Sequence, residues 1–133
     1  FANTLIGNAG ANLLLGGLGN DTLTGLNGAD TFVFNTALNS AINHDTITDF
    51  NVAADTIQLE NAIFTLLTAT GTLASALFKD LSLAAQDAND IIVYNRATGD
   101  LFYDTNGLTA GGQTLFADVT NGTVLTFADF VVT

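Results

Sequence analysis

The chain has 133 residues, 48% of them apolar, and sets thirteen Asp or Glu against two Lys or Arg, for a formal net charge of −11. That excess argues against nucleic acid or an anionic membrane surface as a partner, while the apolar content is too high for permanent disorder. There is no cysteine, hence no disulfide framework and no thiol chemistry. The length suits one domain, or a small repeat block with a cap.

One phrase is written four times near the start, as Asn3-Thr4-Leu5-Ile6, Asn12-Leu13-Leu14-Leu15, Asp21-Thr22-Leu23-Thr24 and Asp30-Thr31-Phe32-Val33. The period is nine, and Gly10, Gly19 and Gly28 keep it, as do Gly7, Gly16 and Gly25. Gly16-Gly17-Leu18-Gly19-Asn20-Asp21-Thr22-Leu23-Thr24 fits the nonapeptide G-G-x-G-x-D-x-U-x at every defined position. The block closely resembles the calcium-binding repeats of RTX proteins, for which that pattern is the signature. Gly and Asn also mark ordinary hairpin turns, but the strict period and an intact consensus unit favour the repeat.

Each nonad divides into a six-residue turn and a three-residue strand whose middle residue (Leu5, Leu14, Leu23, Phe32) faces an interior while its neighbours face out. If each turn reverses the chain, two nonads make one coil and turns eighteen residues apart stack. Stacked strands lie about 4.8 Å apart, so a cation midway sits about 2.4 Å from each, within the roughly 2.3–2.6 Å of calcium–oxygen contacts. Magnesium wants shorter distances and a strict octahedron. Zinc wants Cys and His, of which the chain has none and one. Calcium is the expected ion.

Parity then predicts the ligands. Turn 7–12 offers the carbonyls of Gly7 and Ala9 with Asn12, and stacks with turn 25–30, which offers the carbonyls of Leu26 and Gly28 with Asp30. Turn 16–21, with Gly16, Leu18, Gly19 and Asp21, stacks on the remnant ending at Asn3 and on whatever follows Val33. Asn at positions 3 and 12 departs from the family's Asp, supplies no charge and should weaken those sites.

Residues 1–34 are thus the repeat block, and 35–60 read as a transition that hides the last open coil. The phrase returns with broken spacing as Asp45-Thr46-Ile47 and Asp55-Thr56-Ile57, with Asp49-Phe50 between them. This stretch resembles the segment that ends RTX blocks, and parity lets Asp45 or Asp49 complete a calcium site at turn 16–21. Solvated strand ends are the competing reading for both carboxylates. His44, the sole His, is expected to be an exposed loop residue.

The remainder, 61–133, is read as a β-rich cap. The apolar spacing of Thr72–Leu81 predicts a short helix, and Asp87-Ala88-Asn89-Asp90 a turn. A hairpin is expected from Ile91–Tyr94 and Leu101–Tyr103 across Asn95–Asp100, similar to the C-terminal hairpin of many RTX proteins, then a loop at Leu108–Gln113 and a strand at Thr114–Ala117. Asp104-Thr105-Asn106-Gly107 is half of an EF-hand start, but no closing Glu follows, which favours a β-turn. The terminus Asp129-Phe130-Val131-Val132-Thr133 is similar to the uncleaved secretion signal of type I substrates.

The resemblance extends over essentially all 133 residues. It implies an all-β chain, a right-handed parallel β-roll followed by a β-rich C-terminal cap, in a secreted or cell-surface bacterial protein. The chain opens on Phe1 within a half repeat, and is read as the C-terminal piece of something longer with an upstream cargo. Calcium would leave the chain loose inside the cell, where its concentration lies far below the roughly 10⁻⁴–10⁻³ M range of extracellular modules, and fold it outside. The implied partner is a type I secretion ABC transporter that engages Asp129 to Thr133. A monomer without stable membrane insertion is expected, since no apolar run nears the roughly 18 residues of a membrane span and no signal-peptide pattern occurs. No nucleophile elbow, zinc motif or triad histidine is present, so no catalysis is expected from these residues. The alternative is a calcium-dependent surface-layer, adhesin or polysaccharide-binding module.

Overall fold

Each nonad of the computed structural model, which describes residues 1–133, contributes one short strand. These are β1 (Thr4–Ile6), β2 (Leu13–Leu14), β3 (Thr22–Thr24) and β4 (Thr31–Phe34). They pair in parallel with the strand two nonads on: Thr4 lies opposite Thr22 and Leu13 opposite Thr31. One coil is therefore two nonads, and the strands stack into two facing sheets. The middle residues Leu14, Leu23 and Phe32 are buried between the sheets while Thr22, Thr24 and Thr31 stay half-exposed, as the period of two requires.

The next coil is longer. β5 (Asp45–Ile47) sets Thr46 opposite Thr22, and β6 (Thr56–Leu59) sets Thr56 opposite Thr31. The insertion carrying Asn39 and Asn43 lengthens the turn before β5, and Thr36 is tied back to the Gly17 carbonyl.

The cap does not simply cover the roll; it adds a further parallel rung to each sheet. β11 (Gln113–Val119) runs parallel to β5 with Ala117 opposite Asp45. β12 (Phe130–Val132) runs parallel to β6 with Phe130 opposite Ile57. Beyond these rungs, β7 (Gly71–Thr72) pairs antiparallel with β12. On the other sheet β8 (Phe78–Asp80), β9 (Ile92–Asn95) and β10 (Asp100–Asp104) follow. The sheet orders are β1-β3-β5-β11-β10-β9-β8 and β2-β4-β6-β12-β7. The architecture is an all-β parallel roll continued by a β-rich cap.

One apolar core runs the length of both, from Leu14 through Phe32, Ile47 and Ile57 to Tyr94, Phe116 and Phe130. At the junction Phe116 meets Phe34 and Phe64 edge-on at centroid distances of 5.2 and 5.1 Å, arrangements worth about 0.5–1.5 kcal/mol each beyond their burial.

The hairpin β9–β10 forms where the sequence predicts it, with Tyr94 opposite Leu101, and a bulge at Leu101/Phe102 re-aims β10 onto β11. The helix expected over Thr72–Leu81 does not form. Its residues are divided among β7, one 3-10 turn at Ser75–Leu77, and β8. The Leu73 amide donates to the Phe130 carbonyl and β8 pairs with β9, so the backbone is spent on both sheets. No side chain caps the turn at Ala74 either. Sheet pairing overrode a short helical period.

Candidate metal centre

The repeat turns depend on left-handed backbone. Gly17 has φ +87°, and the equivalent place in the next repeat is held by Leu26 at φ +72°. That conformation costs a residue with a β-carbon about 1–2 kcal/mol, and half of the Leu26 side chain lies in solvent. Leu26→Gly is therefore expected to stabilise the protein by about 0.5–1 kcal/mol after the extra unfolded-state freedom of glycine is subtracted. Thermal melts check this; an unchanged or lower midpoint would show that the Leu26 side chain contributes more packing than its exposure suggests.

The carboxylates that close the turns are buried. Asp21 and Asp30 are each 1% exposed. The Asn3 amide donates to Asp21 Oδ1 at 2.6 Å and the Asn12 amide to Asp30 Oδ1 at 2.8 Å, each across eighteen residues. The other oxygen of each, Asp21 Oδ2 and Asp30 Oδ2, is buried and accepts no hydrogen bond. A buried carboxylate oxygen without a partner is costly. Glycine makes the room: a β-carbon at Gly16 would stand 2.6 Å from Asp21 Oδ2, and one at Gly25 would collide with Asp30 Oδ2.

The turn carbonyls of Gly7, Ala9, Gly16, Gly19, Leu26 and Gly28 accept no hydrogen bond within the protein. That of Leu18 takes the amino group of Phe1 at 3.2 Å. No three His, Cys, Asp or Glu side chains converge on one point, so an ion held here must draw on carbonyl oxygens as well as carboxylates. All-oxygen donors with few charges suit a hard cation such as calcium.

Of the two acids that parity offers to turn 16–21, Asp45 and Asp49, only Asp45 joins it. The Asp21 amide donates to Asp45 Oδ1 at 3.0 Å, and Asp45 Oδ2 lies 2.6 Å from the same Gly16 β-carbon position. Burial pushes the Asp45 carboxyl up to about 6; the hydrogen bond from Asp21 opposes this and the Asp21 charge adds to it. Asp49, the other candidate for that turn, does not reach it. Its two oxygens take the amides of Gly25 and Leu26 at 2.9 and 2.8 Å, on the opposite flank of the roll. Asp49 stands four positions after Asp45, and β5 carries the chain across the roll between them.

Two contributors went unassigned from sequence. Asp55 accepts from the Asp30 amide and the Asn51 amide; its signal, the returning Asp-Thr-Ile phrase, was present. Asn43 accepts from the Gly19 amide at 2.7 Å and donates to the Ala37 carbonyl at 2.6 Å, and nothing in the sequence distinguishes it. His44 is half-buried rather than exposed, because the insertion folds back over turn 16–21 and its amide donates to Asn20. Asp104 Oδ1 takes the amides of Asn106 and Gly107, and Oδ2 takes Gln86 and Gln113. That carboxylate is a saturated turn. Both cations are spent in the cap, Arg96 on Asp80 and Lys79 on Asp87 and Asp90.

Comparison with known proteins agrees with this geometry at the N-terminus. The family model of the RTX calcium-binding nonapeptide repeat, in four copies, matches residues 1–32. Among solved structures, the chain is similar to the solution structure of the AlgE6R3 subunit from the Azotobacter vinelandii mannuronan C5-epimerase, at 21% identity over 98% of this chain and 77% of that chain, with a TM-score of 0.48. No curated protein matches the chain. The first thirty-two residues, with their buried turn-closing carboxylates, are RTX calcium-binding nonapeptide repeats.

Proposed function

We propose that this chain is a calcium-dependent folding module, a binding unit and not a catalytic one. The observation that carries the reading is the pair of buried carboxylate oxygens, Asp21 Oδ2 and Asp30 Oδ2, with no donor of their own. Residues 1–60 contain no Lys or Arg to offset them. Asp21 with Asp45 on one flank and Asp30 on the other, each with the free carbonyls of the repeat turns, would hold separate ions, and calcium when bound supplies the positive charge that the roll lacks. Without it, like-charged turns are stacked against one another at a cost; with it, folding and binding become one equilibrium.

The reading extends to export. The module folds outside the cell, where calcium is plentiful, on behalf of an upstream cargo, and Asp129 to Thr133 serve a type I transporter as the secretion signal. In the folded chain Phe130–Val132 are an internal strand between β6 and β7, so a transporter would engage them only on an unfolded chain. No helix is long and apolar enough to cross a membrane.

A far-UV circular dichroism titration with calcium, followed by size exclusion, tests this. A transition to β-structure in the sub-millimolar to millimolar range, absent with magnesium and ending in a monomer, is expected. Full β-structure already present in chelator would remove the basis of the switch. Large calcium-driven assemblies would favour a surface-layer or adhesive module instead.

A further inference from the structure

The two flanks of the roll end differently, and the difference concerns where a second carboxylate oxygen goes. On one flank Asp45 follows Asp21. Its Oδ1 accepts the Asp21 amide and its Oδ2 accepts nothing, standing with Asp21 Oδ2 at 2.6 Å from the β-carbon position of Gly16. On the other flank Asp55 follows Asp30. Its Oδ1 accepts the Asp30 amide at 2.9 Å, but its Oδ2 is taken by the Asn51 amide at 2.8 Å. Asp49, also there, has both oxygens engaged. Upstream on that flank stands Asn12, neutral, its Oδ1 accepting the Asn8 amide at 2.7 Å. One slot therefore receives two free carboxylate oxygens, and the other receives only Asp30 Oδ2.

We propose that the tightest cation site lies not within the matched repeats but at their junction with the cap, held by Asp21 Oδ2 and Asp45 Oδ2, and that Asp45 sets its affinity. The proposal rests on the calcium reading above. The turn carbonyls are similar on both flanks, so the count of ligand charges decides between them, and oxygen-ligand calcium sites are tuned chiefly by that count and by rigidity. Asp21 is only 1% exposed and is pinned through Oδ1 by the Asn3 amide, so its free oxygen is aimed before an ion arrives. Two carboxylates sharing a slot repel one another until a divalent cation lies between them. Because β5 carries Asp45 and pairs with β11 of the cap, an ion there ties the first repeats to the C-terminal half of the chain. The Asp30 slot, with one charge, is the weaker site.

Isothermal titration calorimetry of the 133-residue chain with calcium chloride, with magnesium chloride as the control, tests the assignment. Two classes of site are expected. Asp45→Asn should weaken the tight class at least tenfold, Asp45→Glu should keep most of that affinity, and Asp30→Asn should remove only the weak class. If Asp30→Asn instead removes the tight class while Asp45→Asn changes it less than threefold, the proposal is overturned and the calcium reading stands. If the unaltered chain binds no calcium at 10 mM, both fall. Should Asp45→Asn fail to fold at any calcium concentration, Gly16→Ala carries the test, since it obstructs the slot without removing a charge. Loss of the tight class in that variant supports the junction site, and its retention overturns it.

Discussion

Phe130→Ala is expected to destabilise the calcium-loaded protein by about 3–5 kcal/mol, the range for removing a buried phenylalanine ring. Phe130 is fully buried and belongs to β12, an internal strand flanked by β6 and β7. Its ring lies 5.4 Å from that of Phe78, while its backbone carbonyl accepts the Leu73 amide, a bond that alanine would keep, so the loss comes from the ring's burial and its contact with Phe78. Total stabilities are about 5–15 kcal/mol, so the loss would leave a marginal fold. Chemical denaturation at saturating calcium measures it, with the half-buried Val131→Ala as the neighbour expected to cost far less. A loss below about 1 kcal/mol for Phe130→Ala would mean that the terminal strand is dispensable. The same geometry explains why three residues at the end of the chain matter: Val132 is buried too, and Thr133 exchanges backbone hydrogen bonds with Leu59 and Asn61.

Gly16→Ala is expected to weaken calcium binding at least tenfold, or about 1.4 kcal/mol, while leaving the cap intact. The added methyl would stand 2.6 Å from both Asp21 Oδ2 and Asp45 Oδ2, well inside van der Waals contact, and must displace them. Asp21 has little freedom to yield, because its Oδ1 holds the Asn3 amide and the residue is buried. The displaced oxygens are those that an ion would need. The midpoint of the calcium-driven dichroism transition reads the effect. Gly17→Ala separates the two roles of glycine, because no atom lies within 4 Å of its β-carbon position and only its φ of +87° is strained. That variant should lose stability, with little change in calcium affinity once folded. Equal calcium shifts in both variants would assign the effect to backbone strain instead of the slot.

Most of the roll was legible because its causes are local. Glycine spacing sets the turns, and the alternation around Leu14, Leu23 and Phe32 sets which face is buried. A period of nine then forces the eighteen-residue stacking seen at Thr4 opposite Thr22. The hairpin at Ile92–Asn95 and Asp100–Asp104 was equally visible, since β-branched and aromatic runs flank a turn. The run Thr72–Leu81 has a helical apolar period but forms no α-helix, because a short period cannot report that β9 and β12 will compete for its backbone.

The repeat, the identity of the turn-closing acids Asp21 and Asp30 and the preference for an oxygen-loving cation follow from residue order alone. What the acids beyond the repeats do depends on how distant segments pack. Asp45, Asp49 and Asp55 look alike in the sequence, each an aspartate near a β-strand. Asp45 turns its second oxygen into the slot of Asp21, while Asp49 and Asp55 spend both of theirs on backbone amides. Asp45 ends an insertion 24 residues after Asp21, and Asp55 closes its turn 25 residues after Asp30. A carboxylate is a ligand only if no nearer donor claims it, and which amide stands nearest depends on how those two longer turns pack.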